Sequence, residues 1–289
     1  MRVLWKDELF VPDGRTVQPT TYATNFWGQI QSSLHTIKQA IGPEEFEPRS
    51  ANRTFRVALP DIALDALWLD LRKLFEKEAN GLNLHAVPYT IARTKAMLDA
   101  AEVDLVIGQS NRSLDNIHTE HLFDTSYVCV MRKGHPLTNK SLTVEAFSSA
   151  DHLLVSLSGD IASPTDQALQ QLGLNRRIAL TVNSFSHAVP IIKESDLIAV
   201  LPTDLLHNYV ACGELVITPP PLTIPHSSIS MLWHKRQSAG KGLIWLQKHI
   251  KHIFITRRTH QLEEVQKFIG LEPSSYRCES LLAGLPSKS

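Results

Sequence analysis

The chain has only three cysteines in 289 residues, Cys129, Cys212 and Cys278, with no CxxC spacing and no regular partner. That argues against a disulfide scaffold or a Cys-based zinc site and fits a reducing compartment, with the cytoplasm as the expectation. No apolar run approaches the roughly 18 residues of a membrane span, and Arg2, Lys6, Asp7 and Glu8 stand where a signal peptide would have its hydrophobic core. Neither charge is in excess, with 29 Lys plus Arg against 29 Asp plus Glu, so the basic surplus of a complete nucleic-acid-binding module is missing. Nucleotide and nucleophile motifs are missing too. The first strand of the main domain is followed by no GxGxxG, Ala239-Gly240-Lys241-Gly242 lacks the earlier glycine and the following Ser or Thr of a phosphate loop, and there is no GxSxG elbow. Among 13 histidines, His249 and His252 share a helix face with His260 beyond, but no carboxylate or Cys set stands in register with them. The expectation is a chain with no metal, no cofactor and no enzymatic activity.

What is present begins with a hairpin and a helix. Asp7 to Val11 is a short apolar strand, Pro12-Asp13-Gly14-Arg15 is turn chemistry, and Thr16-Val17-Gln18 is a return strand. After Pro19-Thr20-Thr21, the residues Ala23, Trp27, Ile30, Leu34, Ile37 and Ile41 recur at spacings of 4, 3, 4, 3 and 4 until Gly42-Pro43. A 4-3 repeat is a coiled-coil seam. An amphipathic helix lying on a core is the plainer alternative. Placed between a hairpin and a Pro- and Glu-rich spacer, however, this helix has no obvious cover in its own chain, and a second copy supplies one.

From residue 54 the pattern alternates strand and helix, the signature of a mostly parallel α/β sheet covered on both faces. Strands are read at 54–60, 82–87 and 103–107. Helices at 63–80 and 91–101 separate them, and a strand pair covers 117–133, broken at Gly134-His135-Pro136. A second unit follows: helix 144–149, strand 152–157, helix 164–172, strand 178–182, helix 185–194, strand 197–201, helix 203–212 and strand 215–218. Strand 229–233 and helix 243–254 return to the first unit, which makes a two-lobed molecule with a hinge and a cleft. A further helix is read over 255–269, then a loose tail.

These residues resemble the LysR-type transcriptional regulators. The likeness rests on Asp7-Glu8-Leu9-Phe10-Val11 with Gly14-Arg15 and Gln18-Pro19-Thr20, on Thr54 to Ala58, on Val103 to Gly108, on Arg132-Lys133-Gly134-His135-Pro136-Leu137, and on Ser195 to Pro202. Tyr127 to Lys133 and Ser230-Met231-Leu232-Trp233-His234 are similar to the branch of nodulation-gene and aromatic-degradation regulators. The resemblance implies a two-lobed, periplasmic-binding-protein-like effector domain preceded by a wing remnant and a long coiled-coil linker helix. Its implied parts are 1–18, the end of a winged helix-turn-helix; 19–42, the linker and dimerisation helix; 43–53, a hinge; 54–254, the effector domain; and 255–289, an extension. Lobe I would be 54–133 with 222–254, and lobe II 134–221.

The resemblance also implies a homodimer or tetramer controlled by a small effector, aromatic in the branch named above, with promoter DNA as a partner if the missing N-terminal module is present and no membrane partner. Met1 to Lys6 matches only the last turn of a recognition helix, so operator recognition is expected to be impaired, and Arg2, Lys6 and Arg15 are left as phosphate contacts that read no bases. Effector contacts carried over by position are Asp61, Ile62, Thr90, Gln109, Ser156, Ser158, Phe185 and Ser186. Asp61 and Thr90 also read as helix caps and Phe185 as core. The competing classes are a solute-binding protein of the same fold, against which stand the missing export signal and the seam helix, and a partner that does not bind DNA itself but pairs with an intact regulator.

Overall fold

The computed structural model describes residues 7–14, 16–27, 30, 46–110, 114–206 and 213–269, with side chains to Arg257. It divides into two compact units, 1–47 and 48–289.

In the first unit, strands β1 (Phe10–Asp13) and β2 (Thr16–Pro19) form an antiparallel hairpin in which Asp13 pairs with Thr16. Gly14 sits at φ +63°, the left-handed turn position glycine takes without strain. Residues 21–27 form helix α1, and Ile30 is helical too. Thr20 starts α1: its hydroxyl accepts from the Ala23 N–H (3.1 Å) and donates to Asp7 Oδ1 (2.7 Å). Trp27 is 54% exposed, and Tyr22 stacks on Phe26 at 6.2 Å. Of the expected seam, Ala23, Trp27 and Ile30 are described, whereas Leu34, Ile37 and Ile41 lie outside the described residues, as do Arg2, Lys6 and Arg15.

The second unit holds two five-stranded sheets. The first contains β3 (Arg53–Leu59), β4 (Leu82–Pro88), β5 (Leu105–Gln109), β6 (Ile117–Thr125) and β12 (Ser227–His234), in the order β4-β3-β5-β12-β6. The second contains β7 (Tyr127–Arg132), β8 (Asp151–Val155), β9 (Arg177–Val182), β10 (Ile198–Pro202) and β11 (Leu215–Thr218), in the order β11-β7-β10-β8-β9. In each sheet the central parallel strands are buried on both faces, which is why they read as unbroken apolar runs: Val57, Ala58 and Leu59 on β3 and Leu105, Val106 and Ile107 on β5 are all buried.

The helices are α2 (Asp61–Glu78), α3 (Thr94–Asp99), α4 (Val144–Ser149), α5 (Pro164–Gln171), α6 (Phe185–Lys193) and α7 (Lys241–Ile269). Helix α2 shows its reason in its sequence. Ala63, Leu67, Leu71 and Phe75 recur every four residues and are buried, and each buried leucine contributes about 1.5–3 kcal/mol. Helix α7 lies on the first lobe, with Trp245 against Phe75 (5.7 Å between rings), Phe254 against Phe123 (5.3 Å), and Arg257 bonded to Asp70 (2.8 Å).

The two-lobed fold class read from the sequence is the one observed, with four differences of detail. The expected strand pair over 117–133 is two strands in two sheets. The chain crosses at Ser126, so β7 belongs to the second lobe and the boundary expected at 133/134 moves back to that residue, because β7 pairs with β10 and β11. The return crossing runs through 219–226. The helix expected over 91–101 is a 3-10 turn, Ile91–Arg93, followed by α3. Of the helix expected over 203–212, Thr203–Leu205 is a 3-10 turn, and 207–212 lie outside the described residues. Finally, the effector domain and the expected extension share one helix: nothing between Leu243 and Ile269 is Pro or Gly, so α7 runs through 254/255 without a break. Among the described residues no helix is long and apolar enough to cross a membrane.

Candidate functional site

Strands β3, β5 and β8 all end at one place, where the two sheets face each other beside the crossing strands. In open α/β sheets, ligands bind outside the carboxyl ends of the strands. The cleft there has a volume of about 350 Å³. Pro60 follows β3, Gln109 ends β5, and Ser156 and Ser158 follow β8. Its apolar wall carries Ile62, Phe123, Phe185, Ile229 and Phe254.

A hydroxyl and amide network ties its base together. Gln109 Nε2 donates to Ser227 Oγ (2.9 Å) and to the Tyr127 hydroxyl (3.4 Å), and the Tyr127 and Ser227 hydroxyls lie 2.7 Å apart. The Tyr89 hydroxyl accepts from the Gln109 N–H (3.0 Å) and donates to the Gln109 carbonyl (3.3 Å). Tyr89 reaches Gln109 because residue 108 is glycine: a Cβ there would stand 2.3 Å from Tyr89 Cζ. Burial pushes the Tyr89 phenol up to about 12 and the Tyr127 phenol upward as well, so both stay protonated hydrogen-bonding groups.

The charged groups on the lining are engaged. The Arg176 side chain is 1% exposed and is held by Asp166 (Nε to Oδ1, 2.7 Å; Nη2 to Oδ2, 3.0 Å) and by Ser163 Oγ (3.0 Å). Its Nη1 donates to His152 Nδ1 (3.1 Å) while His152 Nε2–H donates to the Phe147 carbonyl (2.8 Å). This is the neutral tautomer. Burial, with Arg176 adding to it, lowers the His152 pKa to about 4. Burial also works against the Asp166 carboxylate, yet its hydrogen bonds from Arg176 and Ser163 hold it below the usual carboxylate range. Arg257 pairs with Asp70, and Asp204 accepts from the Thr125 hydroxyl (2.6 Å).

Of the residues expected at the site, Ile62, Gln109, Ser156, Ser158 and Phe185 line the cleft. Asp61 and Ser186 are not on the lining. They bond to each other instead, Ser186 N–H and Oγ donating to Asp61 Oδ2 at 2.7 and 2.6 Å. Thr90 is also off the lining. It precedes the 3-10 turn, its side chain makes no cap bond, and its carbonyl accepts from the Thr94 hydroxyl (3.1 Å). The sequence reading missed Arg176, Tyr127 and Ser227. The Ser163-Pro164-Thr165-Asp166 capping box was a local signal for one end of the Arg176 arrangement. Tyr127 and Ser227, 100 residues apart, are joined only by the fold.

The description "LysR substrate binding domain" matches residues 48–253. Similar curated proteins include the HTH-type transcriptional activator NahR of Pseudomonas putida, 28% identical over 88% of this chain and 85% of that one. Nodulation protein D 3 of Rhizobium leguminosarum bv. phaseoli is 29% identical over 86% of this chain and 82% of that one. Among solved structures, the regulatory domain of MexT, a transcriptional activator in Pseudomonas aeruginosa, superposes with a TM-score of 0.60 at 22% identity, covering 71% of this chain and 99% of that one. A full-length OxyR variant from the same species gives 0.61 at 16% identity, covering 88% and 86%. At these identities the two structures speak for the fold alone. The match over residues 48–253 speaks for the lineage: this chain belongs to the LysR-type transcriptional regulators, and that stretch is its substrate-binding domain.

Proposed function

We propose that the chain acts as a cytoplasmic regulator, not an enzyme, whose inter-lobe cleft senses a small effector carrying an aromatic ring and a hydrogen-bonding group. The observation that carries this reading is the composition of the cleft: phenylalanines from β6, α6 and α7 surround neutral donors and acceptors on Gln109 and Tyr127, which Ser227 backs from behind the lining. A flat apolar ring with a hydroxyl satisfies both halves. Ile62, Gln109, Ser156, Ser158 and Phe185 are the proposed effector contacts.

The mechanism is population shift. An effector that binds one lobe arrangement about tenfold better than the other favours it by about 1.4 kcal/mol. Homodimers or tetramers joined along the 4-3 seam of 19–42 pass that change to the DNA modules they carry. NahR and nodulation protein D are named for transcriptional activation and nodulation, which supports a regulatory role here.

Calorimetry with phenol, salicylate and a flavonoid as probes tests the cleft. Binding that Gln109→Leu and Phe185→Ala each weaken is the expected outcome, and binding that neither variant changes would place the effector elsewhere.

A further inference from the structure

Helix α6 belongs to the second lobe, yet the group that satisfies its first turn comes from the first. Ser184 holds the N-cap position of α6, but its side chain makes no bond to the helix it precedes. Its hydroxyl donates across the cleft to Asp61 Oδ2 (2.8 Å). The same oxygen accepts from the Ser186 N–H (2.7 Å) and the Ser186 hydroxyl (2.6 Å). A carboxylate at a helix N-terminus normally caps its own chain within three residues, and here 125 residues separate Asp61 from Ser186. Asp61 is the first residue of α2, with only Pro60 between it and β3, so its backbone is anchored to an inner strand of the first sheet. The Asp61 carboxyl is held below the usual carboxylate range: burial works against its charge, but hydrogen bonds from Ser186, Ser184 and Phe185 outweigh the burial. It is therefore ionised throughout the neutral range and accepts with full charge.

We infer that Asp61 is a positioning residue, a clasp between the lobes that sets the width of the cleft by capping α6 from the opposite lobe. It does this without lining the cleft, which is lined on either side of it by Pro60 and Ile62 in one lobe and by Phe185 in the other. Closing the clasp brings Ile62 and Phe185 to the same ligand, and opening it separates the two walls and uncovers the first turn of α6. The clasp therefore biases the lobe equilibrium on which an effector acts. Asp65, one turn along α2, feels this charge: burial first, then the nearby Asp61, raises its pKa.

The inference depends on the effector reading only in that the clasp spans the same cleft, and its test needs no ligand. Spin labels at K73C on α2 and K140C after β7 report the lobe separation in the full chain, with Cys212 and Cys278 replaced by serine and labelled protein diluted into unlabelled. Wild type is expected to show one narrow distance. D61A, and separately the pair S184A/S186A, is expected to add a longer-distance population and to speed exchange of the Ser186 amide about tenfold, while amides of the last turn of α6 are unchanged. D61N, which keeps an acceptor but no charge, falls between. Should D61A fail to fold, the serine pair carries the test from the other lobe. Folded D61A and S184A/S186A proteins with the wild-type distance distribution would overturn the clasp, and that result would leave the effector reading untouched.

Discussion

Two side chains show how single residues shape the cleft. Gly108 is needed because the Tyr89 ring occupies the space a Cβ would take. Gly108→Ala should push Tyr89 away, break both of its bonds to Gln109 and destabilise the protein by about 1–3 kcal/mol, read as a lower melting temperature. If Tyr89 is the cause, Gly108→Ala combined with Tyr89→Ala costs less than the two singly summed. His152 makes a pH prediction whose sign is fixed by its lowered pKa. The native state keeps it neutral down to about 4, whereas the unfolded chain protonates it near 6.5. Stability should then fall as pH drops through that window, by about 1.4 kcal/mol per unit, and level off below it. Denaturant midpoints between pH 7 and 4 measure this, and His152→Asn should reduce that slope, leaving the part that comes from His249, whose pKa burial also lowers. Asp61 and Asp166 titrate below the ordinary carboxylate range and act in a lower window, so the two effects separate.

Elements were the most legible level. Apolar runs announced β3 and β5, and Leu64, Leu67, Leu71, Leu74 and Phe75 on one helix face announced α2, because burial imposes its period locally. Boundaries drifted where the local code is ambiguous. The stretch from Ile91 divides between a 3-10 turn and α3, and α7 extends past 254 because no Gly or Pro stops it. The 4-3 seam proposed for 19–42 makes the sharpest element-scale prediction. Replacing Ile30 and Leu34 together with Asp should lower the oligomeric mass measured by light scattering and reduce crosslinking through that segment. An unchanged mass with unchanged crosslinking counts against the seam. The candidate site was legible only in part, for a geometric reason. Ile62, Gln109 and Phe185 were placed by the resemblance, which carries effector contacts over by position, but the partner of Asp61 lies 125 residues away, and no spacing rule shows that its carboxylate turns toward Ser186.

At the scale of the whole domain, pairing decides what pattern cannot. Strands β6 and β7 are separated by Ser126 alone, yet they enter different sheets, and β12 returns from the second lobe to lie between β5 and β6. The second lobe is thus an insertion between two parts of the first. Order of synthesis follows from that nesting. When the ribosome has made residues 127–218, all five strands of the inserted lobe exist, while its host still lacks an inner strand and a covering helix. A nascent chain stopped after Thr218 should therefore protect the inserted lobe from protease and leave β3 to β6 cleavable, whereas adding residues 219–257 should protect both. The half that begins first is finished last, and until β12 arrives it is the half that a chaperone would have to shelter.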